Sequence, residues 1–204
     1  MFLTKDCLNL IITGVGGQGN VLASQLIGGA LVAKNYFVTI GETYGATQRG
    51  GAVMSHVRIS KKALYGPLIP EGKSDVILGL EPVETLRVMG HYGNPDVVAV
   101  VNTRPVYPLD VTVGNAKYPS DKIVRSTLTE LCNKVYFVNA TDIAVDLGAP
   151  ILLNVVMIGV LLATNILPLI KDDLTESLKN TFPDQKLEIN LRALQRGMDA
   201  IKEK

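Results

Sequence analysis

Cysteine is scarce in this chain. The 204 residues include two cysteines, Cys7 and Cys132, which are too few and too far apart to form a disulfide framework or a metal site. An iron–sulfur cluster takes about four cysteine ligands, so any cluster that serves this protein would have to lie on another chain. We expect both cysteines to be small buried hydrophobic residues.

Neither sign of charge is in excess. Lysine and arginine together number 20, and aspartate and glutamate number 19. Without a basic surplus to neutralise phosphates, the composition argues against a nucleic-acid partner. The first residues, Met1–Asp6, also lack the basic segment, apolar run and cleavage site of a secretory signal peptide, which predicts a cytoplasmic protein.

Long hydrophobic runs are absent except for Ile151–Leu167. This segment is shorter than the roughly 20 apolar residues that a membrane span needs, and Asn154 and Asn165 interrupt it. We therefore expect no membrane insertion. The segment is instead predicted to be a helix buried on nearly all sides, partly by a partner subunit, and the isolated chain is expected to self-associate, as a homo-oligomer for example.

Short apolar runs alternate with helical patterns along the whole chain. The predicted strands are Leu8–Thr13, Phe37–Ile40, Val53–Ile59, Val76–Leu80, Val97–Val101 and Val135–Val138. The predicted helices are Gln18–Ala33, Pro82–Met89, Asp121–Leu131, Ile151–Leu167, Asp173–Asn180 and Gln185–Lys202, and a proline-rich stretch at 105–119 is interpreted as a loop or an edge hairpin. This alternation predicts an α/β fold, a three-layer, Rossmann-like arrangement with a mainly parallel sheet and helices on both faces, in a single domain over residues 1–204.

A glycine-rich turn follows the first predicted strand. The spacing Gly14-x-Gly16-x-x-Gly19 places glycines between a strand and a helix N-terminus whose amides can hold an anion. It also matches the dinucleotide fingerprint, and Glu42 follows at about the distance of the acid that binds a ribose. A stand-alone nicotinamide or flavin oxidoreductase is therefore one reading. In the other, the glycines only allow the helix to pack closely on the sheet.

A second polar and glycine-rich segment, residues 41–51, follows the second predicted strand. It contains Glu42, Gln48 and Arg49, and the Arg49 guanidinium has the geometry to grip a carboxylate or phosphate with two hydrogen bonds. Because ligands in open sheets collect beyond the carboxyl ends of the strands, we expect this segment to lie beside the glycine turn. The alternative is an ordinary solvated loop. In the strand that follows, His56 has no visible partner and is expected to be half-exposed.

These segments carry a family resemblance. The chain resembles the gamma domain of 2-oxoacid:ferredoxin oxidoreductases over nearly its whole length, and among them the small (beta) subunits of the indolepyruvate enzymes. The matching runs are Gly14-Val-Gly-Gly-Gln-Gly-Asn20, Gly41-Glu-Thr43, Gln48-Arg-Gly-Gly51, Ser55-His-Val-Arg58, Asp75-Val-Ile-Leu-Gly-Leu-Glu-Pro82 and Asn154-x-x-Met-x-Gly159. The joint match is far more specific than any one motif.

The resemblance implies a reaction divided between subunits. A 2-oxoacid is decarboxylated on thiamine diphosphate, electrons pass through iron–sulfur clusters to ferredoxin, and coenzyme A takes the acyl group. This chain lacks a Gly-Asp-Gly segment of the thiamine diphosphate type and the cysteines for a cluster. The resemblance therefore implies that a large (alpha) subunit holds both cofactors, that this chain alone holds none, and that it completes the site. A purely structural interaction subunit is a further alternative.

No residue is assigned as a catalyst. The two loops are predicted to face the partner, the substrate or a coenzyme A phosphate, and no metal site is expected. The candidate residues are Gly14, Gly16, Gly17, Gln18, Gly19, Asn20, Glu42, Thr43, Gln48, Arg49, Gly50 and Gly51.

Overall fold

The computed structural model describes residues 5–44 and 51–201. The strands are β1 (Leu8–Val15), β2 (Phe37–Tyr44), β3 (Ala52–Ser60), β4 (Val76–Gly79), β5 (Val98–Asn102) and β6 (Lys134–Val138). The helices are α1 (Asn20–Ala33), α2 (Pro82–Tyr92), α3 (Leu109–Thr112), α4 (Asp121–Leu131), α5 (Ala140–Asp146), α6 (Leu153–Ala163), α7 (Lys171–Thr181) and α8 (Asp184–Asp199), with a 3₁₀ turn at Pro150–Leu152 before α6.

The six strands form one mixed sheet in the order β2-β3-β1-β4-β5-β6. β3 pairs antiparallel with both β1 and β2, whereas β1, β4, β5 and β6 pair parallel with one another. β3 is thus the one strand of the six that runs against the others. The predicted fold class is confirmed, and the insertion of β3 between β1 and β2 is the feature that the sequence pattern did not indicate.

The sheet separates two hydrophobic cores of unequal size. Apolar residues of α1, α5, α6, α7 and α8 pack on one face, and those of α2 and α4 pack on the other. β1 is buried along its whole length, as expected of a strand that is covered on both faces. The two faces meet at the carboxyl ends of β1 and β4, because α1 leaves β1 on one side and α2 leaves β4 on the other.

Helix α6 is the apolar segment noted in the sequence, and it is buried within this chain. Ten of its residues are buried, and it packs closely on α8, where a side chain at Gly159 or Gly197 would overlap the backbone of the other helix. The prediction that a partner subunit covers part of this segment is therefore not needed to explain its composition. Among the described residues, no helix is both long enough and apolar enough to cross a membrane.

The irregular proline-rich stretch contains α3, a single short turn of helix, and is not an edge hairpin. α5 was also missed by the sequence pattern, because its seven residues are too short to show a clear period. Its start is nevertheless marked in the sequence, since the side chain of Asn139 accepts a hydrogen bond from the backbone N–H of Asp142 as an N-cap.

Candidate functional site

The glycine turn meets the end of the second predicted loop at the carboxyl edge of the sheet. The backbone N–H of Gly16 donates to the carbonyl oxygen of Gly51 at 2.9 Å, which joins the glycine turn to the end of the second segment. Gly17 and Gly19 have φ angles of 101° and 87°, a region that favours glycine. The expected juxtaposition is thus observed at Gly51, while Gln48, Arg49 and Gly50 lie outside the described residues.

The side chain of Gln18 fills the inside of the glycine turn. Its Oε1 accepts from the backbone N–H of Val15 at 2.7 Å, and its Nε2 donates to the carbonyl oxygen of Leu80 at 3.1 Å. A Cβ atom at Gly14 would collide with that Oε1. The glycine at position 14 therefore makes room for the protein's own glutamine, and the amide ties the end of β1 to the end of β4.

Gly19 is the N-cap of α1, and Asn154 of α6 lies directly against it. The Asn154 Nδ2 donates to the Gly19 carbonyl oxygen at 3.4 Å. A Cβ atom at Gly19 would overlap the Asn154 amide. This contact explains why Asn154 belongs to the same sequence signature as the turn: it secures the turn from α6, which packs on the same face of the sheet as α1.

Glu42 is held by two serine hydroxyls. Its two carboxylate oxygens accept hydrogen bonds from Ser24 Oγ at 2.8 Å and Ser55 Oγ at 2.6 Å. β3 lies between β2 and β1, so Glu42 sits two strand spacings, or about 10 Å, from β1. The carboxylate therefore has a structural role, and it is not placed as the ribose ligand of a dinucleotide.

Asn20 and Thr43, two of the remaining candidate residues, lie at different places in the fold. Asn20 is buried beneath the turn, where its Nδ2 donates to the carbonyl oxygens of Ile12 and Val53, both at 3.3 Å, and its Oδ1 has no hydrogen-bond partner among the described atoms. Asn20 thus braces β1 against β3 from inside. Thr43 is exposed at the end of β2, where it pairs with Met54.

A buried polar cluster at the ends of β4 and β5 was not recognised as part of the site. Glu81 is almost fully buried and caps α2 by accepting from the backbone N–H of Glu84. It also accepts from the Tyr118 hydroxyl and from the Val106 backbone N–H. Two effects raise the pKa of Tyr118 far above its usual range: burial is the larger, and the hydrogen bond to Glu81 is the second. The Glu81-Pro82 pair was the available signal, because proline is common in the first turn of a helix.

Asn102 extends that cluster across the sheet. Its Nδ2 donates to the Leu80 carbonyl oxygen at 3.0 Å, the same oxygen that accepts from Gln18. Its Oδ1 accepts from the backbone N–H groups of Ala140 and Thr141. The ends of β1, β4 and β5 and the start of α5 are therefore joined by two side-chain amides into one rigid edge.

His56 is buried, so the expectation of a half-exposed strand residue is wrong. Its Nδ1 accepts from the backbone N–H of Ile69 at 3.2 Å, and its ring packs edge-on against Tyr92. Burial lowers the pKa of His56. The loop that carries Ile69 supplies the cover, and a strand pattern alone cannot reveal a loop that folds back over it.

The two cysteines are free thiols. Cys7 is buried and Cys132 is half-buried, and burial raises the pKa of Cys132 to about 11. A thiol with a raised pKa carries little of the nucleophilic thiolate at neutral pH. Within the described ranges, 5–44 and 51–201, no group of three or more histidine, cysteine or acidic residues is placed to hold a metal ion.

Comparison with known proteins assigns the chain to a family. The model of the pyruvate ferredoxin/flavodoxin oxidoreductase family matches residues 9–200. Indolepyruvate oxidoreductase subunit IorB of Pyrococcus horikoshii is 39% identical over 196 residues, which cover 96% of each chain. The subunit of the same name from Archaeoglobus fulgidus is 37% identical over 190 residues and 93% of each chain.

Solved structures show the same fold. The gamma subunit of a keto/oxoacid ferredoxin oxidoreductase from Geobacter sulfurreducens superimposes with a TM-score of 0.69 at 20% identity, over 97% of this chain and 99% of that one. A 2-oxoglutarate:ferredoxin oxidoreductase from Magnetococcus marinus gives a TM-score of 0.73 at 22% identity, over 98% of this chain and 32% of that one. With the family model spanning nearly the whole sequence, this chain belongs to the pyruvate ferredoxin/flavodoxin oxidoreductase family.

Proposed function

We propose that this chain is the small subunit of a 2-oxoacid:ferredoxin oxidoreductase that acts on indolepyruvate or a related aryl pyruvate. The observation that carries this proposal is the 39% identity to the Pyrococcus horikoshii indolepyruvate oxidoreductase subunit over 96% of both chains. Relatives named for 2-oxoglutarate and pyruvate enzymes are 26% and 28% identical. The higher identity favours the aryl substrate class over the other two.

The cofactors belong to a large partner subunit in this proposal. Thiamine diphosphate would supply the carbanion chemistry of decarboxylation, iron–sulfur clusters would carry electrons to ferredoxin, and coenzyme A would accept the acyl group. The chain's two cysteines do not fit a cluster that takes about four. Its two unpaired thiols suit a reducing compartment, so we place the complex in the cytoplasm.

The carboxyl edge of the sheet is the part of this chain that completes the site. Gln18 and Asn102 make that edge rigid through a shared carbonyl oxygen, and Gly16 and Gly51 hold the two loops together. The glycine turn at the N-terminus of α1 suits an anionic group such as a coenzyme A phosphate. The Magnetococcus marinus relative was solved with coenzyme A bound.

A stand-alone dinucleotide enzyme is disfavoured by the geometry. The pyrophosphate of a dinucleotide needs close approach to the turn, but Gln18 occupies the space beside Gly14. The acid that would hold the ribose, Glu42, accepts hydrogen bonds from Ser24 of α1 and Ser55 of β3 instead. The residues present therefore do not fit a nicotinamide or flavin dinucleotide bound in the usual Rossmann mode, with its pyrophosphate at the turn and its ribose on the acid.

A structural subunit that contributes no site residues is the remaining alternative, and Arg49 distinguishes it. In the assembled complex, Arg49→Ala is expected to raise the KM for coenzyme A at least about tenfold, because charged hydrogen bonds contribute about 1.5–3 kcal/mol each. Arg49→Lys should recover part of the loss. Arg192→Ala, which removes an exposed arginine on α8, is the matched control, and an Arg49→Ala complex with unchanged kinetics would favour the structural role.

A substrate panel tests the proposed activity itself. The complex, purified with its large subunit, is assayed for ferredoxin reduction with indolepyruvate, phenylpyruvate, pyruvate and 2-oxoglutarate in the presence of coenzyme A. We expect the two aryl pyruvates to give the highest kcat/KM. Preference for pyruvate or 2-oxoglutarate would overturn the substrate class while leaving the family assignment intact.

A further inference from the structure

A cavity opens at the same sheet edge, on the face that carries α2. It has a volume of about 240 Å³. The lining comes from the ends of β1, β2 and β3 and from one side of α2, namely Thr13, Thr43, Ala52, Val53, Met54, Glu84, Arg87, Val88, His91 and Tyr92. None of the roles discussed above uses this cavity.

Glu84 is the chemically informative residue of the cavity wall. Only 8% of the residue is exposed, and burial raises the pKa of its carboxyl group. Two charged residues lie near it: Glu81, whose negative charge also raises the pKa of Glu84, and Arg87, whose Nε lies 3.7 Å away on a largely exposed side chain. That separation is too long for a hydrogen bond. The carboxylate thus accepts no hydrogen bond from the described residues, and it borders the cavity, where a ligand donor can reach it.

The rest of the cavity is apolar and small. Its surface is mainly apolar, and Val53, Met54, Val88 and Tyr92 are among the residues that line it. Pockets that hold drug-sized molecules measure about 300–1,000 Å³, so a cavity of about 240 Å³ suits a single ring system and excludes a nucleotide. The lining is complementary to a flat apolar group that carries one hydrogen-bond donor.

The cavity lies next to the candidate site. Ala52 in its wall follows Gly51, whose carbonyl oxygen accepts from Gly16 in the glycine turn. Thr13, also in the wall, precedes Gly14 at the start of that turn. A molecule held at the turn could therefore place a side group into the cavity by crossing only the end of the sheet.

We propose that this cavity binds one aromatic ring with an N–H donor, an indole, whose N–H donates to the Glu84 carboxylate. An indole nitrogen is a donor and never an acceptor, which matches a buried carboxylate. The inference rests on the proposed function, because an indolyl 2-oxoacid is what would bring such a ring to this site. It assigns to the small subunit a part in choosing the substrate side chain.

Titration of the full chain with indole and with 1-methylindole tests the donor directly. The two rings are nearly the same size, but the second has no N–H. Followed by chemical-shift perturbation or calorimetry, indole is expected to bind saturably and 1-methylindole at least about tenfold more weakly, since a hydrogen bond to a charged group contributes about 1.5–3 kcal/mol. Equal binding of the two rings, or no saturable binding of indole, would overturn the proposal.

Variants of Glu84 locate the contact. Glu84→Leu should abolish the preference for indole over 1-methylindole, and Glu84→Gln should keep part of it because the amide oxygen still accepts. Glu71→Leu, at an exposed glutamate, is the matched control and should leave the preference unchanged. If Glu84→Leu fails to fold, the ratio measured on the unaltered chain and on Glu84→Gln decides the question.

The same titration on the assembled complex distinguishes the source of the ring. Indole binding to the complex, with competitive inhibition against indolepyruvate, supports a substrate pocket. Loss of indole binding on assembly would show that the partner covers or fills the cavity and would overturn the assignment. A complex that turns over indolepyruvate without any indole binding refutes this inference alone, whereas indole binding without any 2-oxoacid turnover refutes the proposed function alone.

Discussion

The Asn154 side-chain amide donates to the Gly19 carbonyl oxygen at 3.4 Å and joins the start of α1 to α6 across 135 residues of sequence. Asn154 is itself buried, so the contact cannot be replaced by solvent. Glycine is needed at position 19 for two reasons. Its φ of 87° is a conformation that other residues rarely adopt, and the Asn154 amide occupies the space that a Cβ atom would need. The glycine turn is therefore held from the protein interior as well as by its own backbone.

Gly19→Ala is expected to lower the free energy of unfolding by about 1–3 kcal/mol, because a non-glycine residue in this conformation is strained and its methyl group overlaps Asn154. Urea unfolding followed by circular dichroism measures the change. Gly29→Ala is the matched control. Gly29 lies inside α1 with ordinary contact distances around its missing Cβ, so alanine there should stabilise the chain by about 0.5–1 kcal/mol. Destabilisation of similar size at both positions would contradict this account.

Gln18→Ala is expected to cost about 1–3 kcal/mol of unfolding free energy, since it strips the Val15 N–H and the Leu80 carbonyl oxygen of a partner. The same urea experiment applies. Gln25→Ala, at an exposed glutamine on the same helix, should stay within about 0.5 kcal/mol of the unaltered chain.

The Gln18→Ala chain also tests the nucleotide interpretation. The substitution opens the inside of the turn, yet Glu42 remains on the far side of β3. We expect neither the unaltered chain nor the variant to bind NAD, NADP or FAD saturably in a fluorescence titration. Micromolar binding by the variant would mean that Gln18 alone excludes a dinucleotide, and that the placement of Glu42 does not matter.

Stability should fall in mildly acidic solution because of His56. Burial lowers its pKa in the folded chain, so below the unfolded value of about 6.5 the unfolded chain binds the proton more readily. The stabilisation is fully present above about pH 6.5 and is lost as the pH falls toward the folded pKa, at no more than about 1.4 kcal/mol per pH unit. Protonation of Nδ1 also removes the acceptor for Ile69.

Comparison with His56→Asn isolates this contribution, because asparagine keeps an acceptor near the position of Nδ1 and does not titrate. Urea unfolding between pH 5 and pH 8 is expected to show a shallower loss of stability for the variant than for the unaltered chain. Parallel curves for the two proteins would mean that other groups cause the acid sensitivity.

Much of the architecture could be predicted because it is encoded locally. The buried run of β1, the turn after it and the small residues of α1 lie next to one another in sequence, and the fold class followed from that alternation. The antiparallel position of β3 was not accessible in this way, because pairing between β1 and β3 is a long-range relationship. That single strand is what moves Glu42 away from the glycine turn.

The site, like the fold, could be predicted only in part. The meeting of Gly16 and Gly51 followed from the rule that loops gather at the carboxyl ends of strands. The burial of Glu81 and Glu84 did not, since a glutamate in a helical pattern is usually solvated and only the packing of α2 shows otherwise. His56 was misjudged because its cover comes from the loop that contains Ile69.

Mixing separately purified subunits tests the central claim most directly. The claim is that the edge formed by the glycine turn and the Gly51 segment completes a reaction centre whose cofactors another chain holds. With indolepyruvate, coenzyme A and ferredoxin, we predict no ferredoxin reduction by this chain alone, little by the large subunit alone, and full activity at a fixed ratio of the two. Turnover by this chain alone with a bound nicotinamide or flavin, or full activity of the large subunit without it, would contradict the account.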